Sequence, residues 1–175
     1  MLQKINNTEE EFEKVFALIQ KSFPTDEYRS FADQQKLLSN PHYSIYVIYD
    51  SGRRVTACLA VWEFENFAFF EHFAVDPEHR NTGLGSKILA EAVTFLKKPV
   101  CLEVELPETE LAKRRIGFYK RNGFFLNKYS YVMPPQGEGK KPLPLYIMTY
   151  GRKITEEKFL NIKSTVYEKV YQYKE

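Results

Sequence analysis

Arg80-Asn81-Thr82-Gly83-Leu84-Gly85-Ser86 lies between a β-prone run that ends at Val75 and an apolar helical pattern made by Leu84, Ile88, Leu89, Ala92, Val93 and Leu96. Two glycines at the mouth of a helix let the backbone approach a ligand closely. The N–H groups of the first helical turn have no carbonyl partner within the helix and point outward toward negative charge. A phosphate compound is the expected guest. Two phosphate-binding patterns are near misses. The third glycine of a dinucleotide fingerprint is replaced by Ile88, and the turn follows an antiparallel meander instead of the first strand of a parallel sheet. Gly85-Ser86-Lys87 does not have the Gly-Lys-Ser/Thr order of a nucleotide-triphosphate loop.

Upstream of the turn, Thr8-Glu9-Glu10-Glu11 reads as a capping box. Phe12, Val15, Phe16, Ile19 and Phe23 follow at helical spacing, which predicts a helix over about 9–21. Pro24 ends it. Thr25-Asp26-Glu27 predicts a second N-cap, with acids in the first turn of a helix that reaches about Leu38. From Tyr43 the period changes to two, and Asp50-Ser51-Gly52 turns the chain into a run over 55–64. Glu65-Asn66 turns it again, so residues 67–75 form the third strand of a meander, closed by Asp76-Pro77.

Downstream of the turn's helix, the pattern predicts a strand at Val100–Glu105, a basic helix over about 108–122 with Gly123 at its C′ position, and a strand over 125–132. A polar connection over 133–142 then leads to a strand at Leu143–Tyr150. A terminal helix follows over about 153–174, capped by Thr155, with Phe159, Ile162, Val166 and Val170 on one face.

Composition limits the possible functions. The 175 residues are 43% hydrophobic and 27% charged, the balance of one compact domain over 1–175, with its core at about 9–150. Against 23 Asp plus Glu stand 25 Lys plus Arg, so no broad positive field exists for wrapping nucleic acid or coating a membrane. Met1-Leu2-Gln3-Lys4-Ile5-Asn6 turns polar too early for a signal-peptide core. The longest apolar stretch, 57–62, is far short of a bilayer span, so a cytoplasmic location is expected. Cys58 and Cys101 both sit in apolar segments and read as buried thiols, with no metal-ligand spacing.

Taken together, the motifs resemble the GNAT superfamily of acyl-CoA-dependent N-acyltransferases. Arg80-Asn81-Thr82-Gly83-Leu84-Gly85 fits that family's Arg/Gln-x-x-Gly-x-Gly/Ala signature. Phe73-Ala74-Val75-Asp76-Pro77 matches the strand end before it, and Phe118-Tyr119-Lys120-Arg121-Asn122-Gly123-Phe124 matches the later Tyr-x-x-x-Gly-Phe element. The resemblance covers about 9–150. It implies an α/β fold: a mixed, mostly antiparallel central sheet flanked by helices, with the family's fourth and fifth strands (here 67–75 and Val100–Glu105) splayed apart. The C-terminal helix is an addition to that plan. The cosubstrate it implies is acetyl-CoA, with no metal. Pantetheine would pair with the backbone of Phe73, Ala74 and Val75, and the pyrophosphate with main-chain N–H groups of Arg80, Asn81, Thr82, Gly83, Leu84, Gly85 and Ser86. An Asn contact to CoA common in the family falls on Ala112, which cannot make it.

The implied reaction is acetyl transfer to a primary amine by direct attack in a ternary complex; the alternative is a non-catalytic acyl-CoA sensor or interaction module of the same fold. An amine of pKa near 10 must lose a proton before it attacks, and the departing thiolate needs one. In the family the late tyrosine, here Tyr119, protonates the thiolate. Strand alternation puts Phe69, Glu71, Phe73 and Val75 on one face with His72 on the other, and Cys101, Glu103 and Glu105 together on the fifth strand. Glu71 and Glu103 are the candidate bases, with a water chain as the third option. Lys113, Arg114, Arg115, Lys120 and Arg121 form a basic cluster suited to the 3′-phosphate of CoA. The acceptor is expected to be a small-molecule or peptide amine. Acids of the loop 23–29 either steer that amine or simply cap the following helix. Tyr167, Tyr171 and Tyr173 offer a surface for a homodimer.

Overall fold

The computed structural model describes residues 1–6 and 8–174; Asn7 and Glu175, both inside the 1–175 domain expected from composition, lie outside the described residues. The chain is of the α/β class and divides into two compact units, Met1–Lys98 and Pro99–Glu175.

In the first unit four strands pair antiparallel in the order β1 (Gln3–Lys4), β2 (Tyr43–Tyr49), β3 (Val55–Glu63) and β4 (Ala68–Val75). Two residues of β1 carry no periodic signal, and sequence reading passes over them. Helix α1 (Glu9–Ser22) is capped by Thr8, whose side chain accepts from the Glu11 N–H, while the Glu11 carboxylate accepts from the Asn6 N–H. Its buried Phe12, Val15, Phe16 and Ile19 lie on β3 and β4, as the 3.6-residue period requires.

The second helix is not continuous. Residues Thr25–Glu27 make one 3₁₀ turn with Pro24 at its N-cap position and no side-chain cap. Tyr28 is extended, with φ −143° and ψ 156°, and Ser30 caps a separate α2 (Phe31–Lys36) by accepting from the Asp33 N–H. The break turns Tyr28 and Phe31 inward. Both rings meet Phe16 edge-on, at centroid distances of 5.8 and 5.2 Å, a packing that a continuous helix from Thr25 would not supply.

The pairing of β4 with β3 carries a bulge. Leu59 lies opposite Phe73 and Ala60 opposite His72, but Val61 lies opposite Phe70, so Glu71 is the extra residue. The alternation expected from sequence therefore fails at this point. Phe73 and Val75 remain together, whereas Phe69 is on the face of His72 and Ala74, and Glu71 turns to that same face. There the Trp62 indole N–H donates to Glu71 Oε2 at 3.0 Å, and Arg29 closes an ion pair on Oε1. His72 shares its Nε2 with the Glu27 carbonyl at 2.9 Å, so both residues of the bulge region hold the segment between α1 and α2.

In the second unit the strands pair antiparallel in the order β5 (Val100–Glu105), β7 (Leu143–Tyr150) and β6 (Phe124–Met133). The β6–β7 ladder is broken between Asn127 and Tyr131. Buried Asn127 compensates: its Nδ2 donates to the Ile147 carbonyl and the Thr149 hydroxyl, and its Oδ1 accepts from the Ile154 N–H. Helix α4 (Glu110–Arg121) is capped by Thr109 and ends at Gly123, in the left-handed conformation at φ 83°. The terminal helix α5 (Glu156–Thr165) has Thr155 as its cap and continues through one π-helical turn, Val166–Val170. Phe159 stacks on Tyr129 at 4.9 Å, which docks α5 against β6.

The Arg29–Glu71 pair has a testable energetic consequence. The two side chains are 10% and 4% exposed, so truncating one leaves the other charge buried. Arg29→Ala is expected to lower unfolding free energy by about 3–5 kcal/mol, measured by urea denaturation. Burial raises the Glu71 pKa, but the Arg29 charge and the hydrogen bonds from Arg29 and Trp62 outweigh it and hold the carboxyl below its ordinary value of 4.5. Stability from this group is thus present above that value and is lost as pH falls through the depressed one. Glu71→Gln should flatten the acid side of the stability profile, and an unchanged slope would remove the pair from the account.

Candidate active site

The candidate site residues are divided between the two units. In the first, β4 ends at Val75, and Pro77–His79 form a 3₁₀ turn capped by Asp76, whose side chain accepts from the Glu78 N–H. Arg80 folds back, its Nε donating to the Val75 carbonyl at 2.9 Å, and the Thr82 hydroxyl donates to the His79 carbonyl at 2.8 Å. These two bonds fix the path between strand and helix. Asn81 and Gly83 both take the left-handed conformation, at φ 62° and 85°; for Asn81 this is a conformation that non-glycine residues seldom adopt.

Helix α3 (Leu84–Leu96) starts immediately after. Its first helical bond runs from the Lys87 N–H to the Gly83 carbonyl, so the amides of Leu84, Gly85 and Ser86 have no partner within the helix. No acidic residue lies in the first turn. Arg80, Asn81, Thr82 and Gly83 are exposed. A Cβ on Gly83 would meet nothing within 4 Å, so what a side chain would cost there is the left-handed φ, not a clash within the protein. Phe73 and Val75 share one face of β4, and Ala74 is buried on the other.

Glu71 is wholly committed: one oxygen to Arg29, the other to Trp62, with His72 Nδ1 at 3.8 Å. His72 is buried, and burial lowers its pKa, so it stands neutral; its Nδ1 has no hydrogen-bond partner. Arg29 is the partner of Glu71 that sequence reading missed. It lies 42 residues from Glu71, and no periodicity links them.

The second unit holds Glu103 and Tyr119. Glu103 projects from the middle of β5. Its Oε1 accepts from the Tyr131 hydroxyl, and its Oε2 accepts from the Tyr171 hydroxyl at 2.7 Å. Both phenols were absent from the expected site. Tyr171 belongs to a trio read as a homodimer surface, yet it turns toward Glu103 of its own chain, and Tyr167 is buried with its hydroxyl on the Val132 carbonyl.

Tyr119, on the last turn of α4, packs edge-on against Phe118 and Phe124 at 5.4 and 5.7 Å. Burial pushes its phenol up to about 12, with Arg115 opposing. Cys101 is buried and its thiol is pushed up by burial and by Glu103, the environment of an inert thiol. Of the basic cluster, Lys113 pairs with Glu110 at 2.7 Å and Arg115 with Glu105 at 2.8 Å, so two of its charges are compensated locally. Ala112, at the position of the family's Asn, is buried. Among the described residues no group of three or more His, Cys, Asp or Glu is arranged to hold a metal ion, and no helix is long and apolar enough to cross a membrane.

Comparison with known proteins bears on these elements. A family model described as Acetyltransferase (GNAT) domain matches residues 41–125, a span that contains β4, the turn, α3, β5 and α4. The structure of a protein from Bacteroides thetaiotaomicron assigned as a GNAT-family acetyltransferase superposes with a TM-score of 0.89 at 35% identity, covering 99% of each chain. The Bacillus subtilis protein YjbC, assigned as an acetyltransferase, is 28% identical over 162 residues, 87% of this chain and 79% of its own. The ribosomal-protein-S18-alanine N-acetyltransferase of Escherichia coli shares the fold, with a TM-score of 0.64 at 18% identity over 89% of this chain and 96% of that one. With its α/β fold, its signature turn and the Bacteroides thetaiotaomicron relative 35% identical over 99% of both chains, the chain is an acyltransferase and belongs to the GNAT family of acetyltransferases.

Proposed function

We propose that the chain is a cytoplasmic N-acetyltransferase that moves the acetyl group of acetyl-CoA to a primary amine by direct attack in a ternary complex, with residues 1–175 acting as one catalytic domain. The observation that carries this reading is the start of α3. Three amides without helical partners follow two left-handed residues, and no acid in the first turn competes for them. Such a cradle suits a pyrophosphate. In this reading residues 80–86 hold the phosphates of CoA and the backbone of Phe73, Ala74 and Val75 holds its pantetheine arm. The acceptor is a small-molecule or peptide amine; the peptide class draws support from the S18-alanine enzyme of the same fold.

For the acid we choose Tyr119. A phenol raised by burial remains matched to its task, because the same desolvation raises the thiolate it serves. For the base Glu103 is favoured over Glu71. Arg29 fixes and stabilises the charged form of Glu71, which weakens it as a proton acceptor. Glu103 accepts from two neutral phenols, which orient it. In the reaction the amine yields a proton to Glu103, directly or through water, and its nitrogen attacks the thioester carbon. The C–S bond then breaks as Tyr119 gives its proton to sulfur, and the nitrogen passes the second proton that an amide cannot keep to the resulting phenolate.

Thiol release from acetyl-CoA across an amine panel, with mass spectrometry of the product, tests the reading. Stoichiometric thiol and N-acetyl amine are expected; CoA binding without turnover would make the chain a sensor instead. Gly85→Asp places bulk and negative charge at the cradle and should weaken CoA binding at least tenfold by calorimetry with the fold intact. Tyr119→Phe should lower kcat by about 10²-fold or more and leave CoA affinity nearly unchanged, since general acids contribute about 10²–10⁴-fold. An unaffected rate would assign Tyr119 to packing.

A further inference from the structure

Helix α5 does not end as an α-helix. Its last turn is a π turn, closed by the Tyr171 N–H donating to the Val166 carbonyl at 3.1 Å, five residues back instead of four. Such turns are rare and concentrate at functional sites. Here the turn is anchored twice. Val166, Tyr167 and Val170 are buried, the Tyr167 ring meets Tyr131 at 5.6 Å, and the Tyr167 hydroxyl donates to the Val132 carbonyl. Beyond it, the Tyr173 N–H closes on the Tyr167 carbonyl at 2.9 Å. None of these contacts needs Tyr171 to reach β5, yet its hydroxyl does reach it and bonds Glu103.

The strand register makes the meeting systematic. Glu103 lies opposite Ile147, and Tyr131 lies opposite Leu145, two residues along β7. Glu103 and Tyr131 therefore share one sheet face across the intervening strand, a span of roughly 10 Å that two long side chains can close. Tyr131 takes one carboxylate oxygen and Tyr171 the other, so the plane of the carboxylate is fixed from two elements.

We propose that Tyr171 is a positioning residue for acetyl transfer: the C-terminal turn exists to hold the Glu103 carboxylate, with Tyr131, in the orientation that accepts the amine proton. This inference rests on the reading of Glu103 as the base. Each phenol donates one proton to the carboxylate and stabilises its charged form. Cys101 and Glu105 flank it on the same face of β5, the latter paired with Arg115, and Tyr167 meets Tyr131 at 5.6 Å with Lys163 5.0 Å from its own ring centroid.

The test uses full-length protein, acetyl-CoA and the best acceptor from the amine panel. Tyr171→Phe should lower kcat about tenfold with the KM for acetyl-CoA within about twofold. It should also move the acid limb of kcat/KM to higher pH, because a carboxylate that loses a donor holds its proton more tightly. Glu103→Gln should abolish that limb and reduce kcat about 10²-fold or more. If Tyr171→Phe destabilises the fold, difluorotyrosine at position 171, a stronger donor, should move the limb to lower pH instead. Unchanged kcat and an unmoved limb in the Tyr171 variants, with Glu103→Gln impaired, would make Tyr171 a packing residue and leave the base reading standing. Full activity in Glu103→Gln would overturn the base, and the role of Tyr171 with it.

Discussion

Three backbone amides at the start of α3, left without carbonyls by the geometry of every helix, are the constraint on which the functional reading of this chain depends. Most helices cover such groups with a capping side chain, and this chain does so at its other four described α-helices: Thr8, Ser30, Thr109 and Thr155 each accept from the third residue onward. Gly83 brings no side chain to α3. The left-handed conformations at Asn81 and Gly83, together with the Arg80 and Thr82 bonds to the preceding backbone, spend local conformational freedom to keep that end open. A helix end left open in a rigid loop is poised for a ligand of negative charge.

The two carboxylates that sequence reading could not tell apart are separated by their partners. Glu71 sits at a strand bulge against a guanidinium and an indole N–H, which fix it as an anion and tie the segment between α1 and α2 to β4. Glu103 accepts from two phenols, which orient it from two different elements. The same residue type thus meets a guanidinium in one setting and a phenol in the other, and the difference lies in residues 42 and 68 positions away.

Much of this was readable in the sequence because it is local. The turn 80–86, α1 with its Thr8 cap, β5 and the Gly123 stop follow from spacing and from residues with special backbone preferences, and the GNAT resemblance rests on those same segments. What failed depends on contacts between distant residues. An alternating pattern cannot show that Glu71 is an extra residue, because the bulge exists only relative to β3. Nor do the acids after Thr25 reveal that Tyr28 must break the helix so that aromatic rings meet Phe16. The tyrosines near the C-terminus look like an exposed aromatic stripe until the π turn aims Tyr171 at Glu103 and buries Tyr167.

The central claim is that CoA is held by the backbone at the start of α3. It can be read most directly from amide resonances of uniformly labelled protein titrated with CoA. The account predicts that the largest shifts, saturating together, fall on Leu84, Gly85 and Ser86, with smaller ones on Phe73, Ala74 and Val75, and that they disappear in Gly85→Asp. Saturable CoA binding that leaves the Leu84, Gly85 and Ser86 amides unmoved would contradict it.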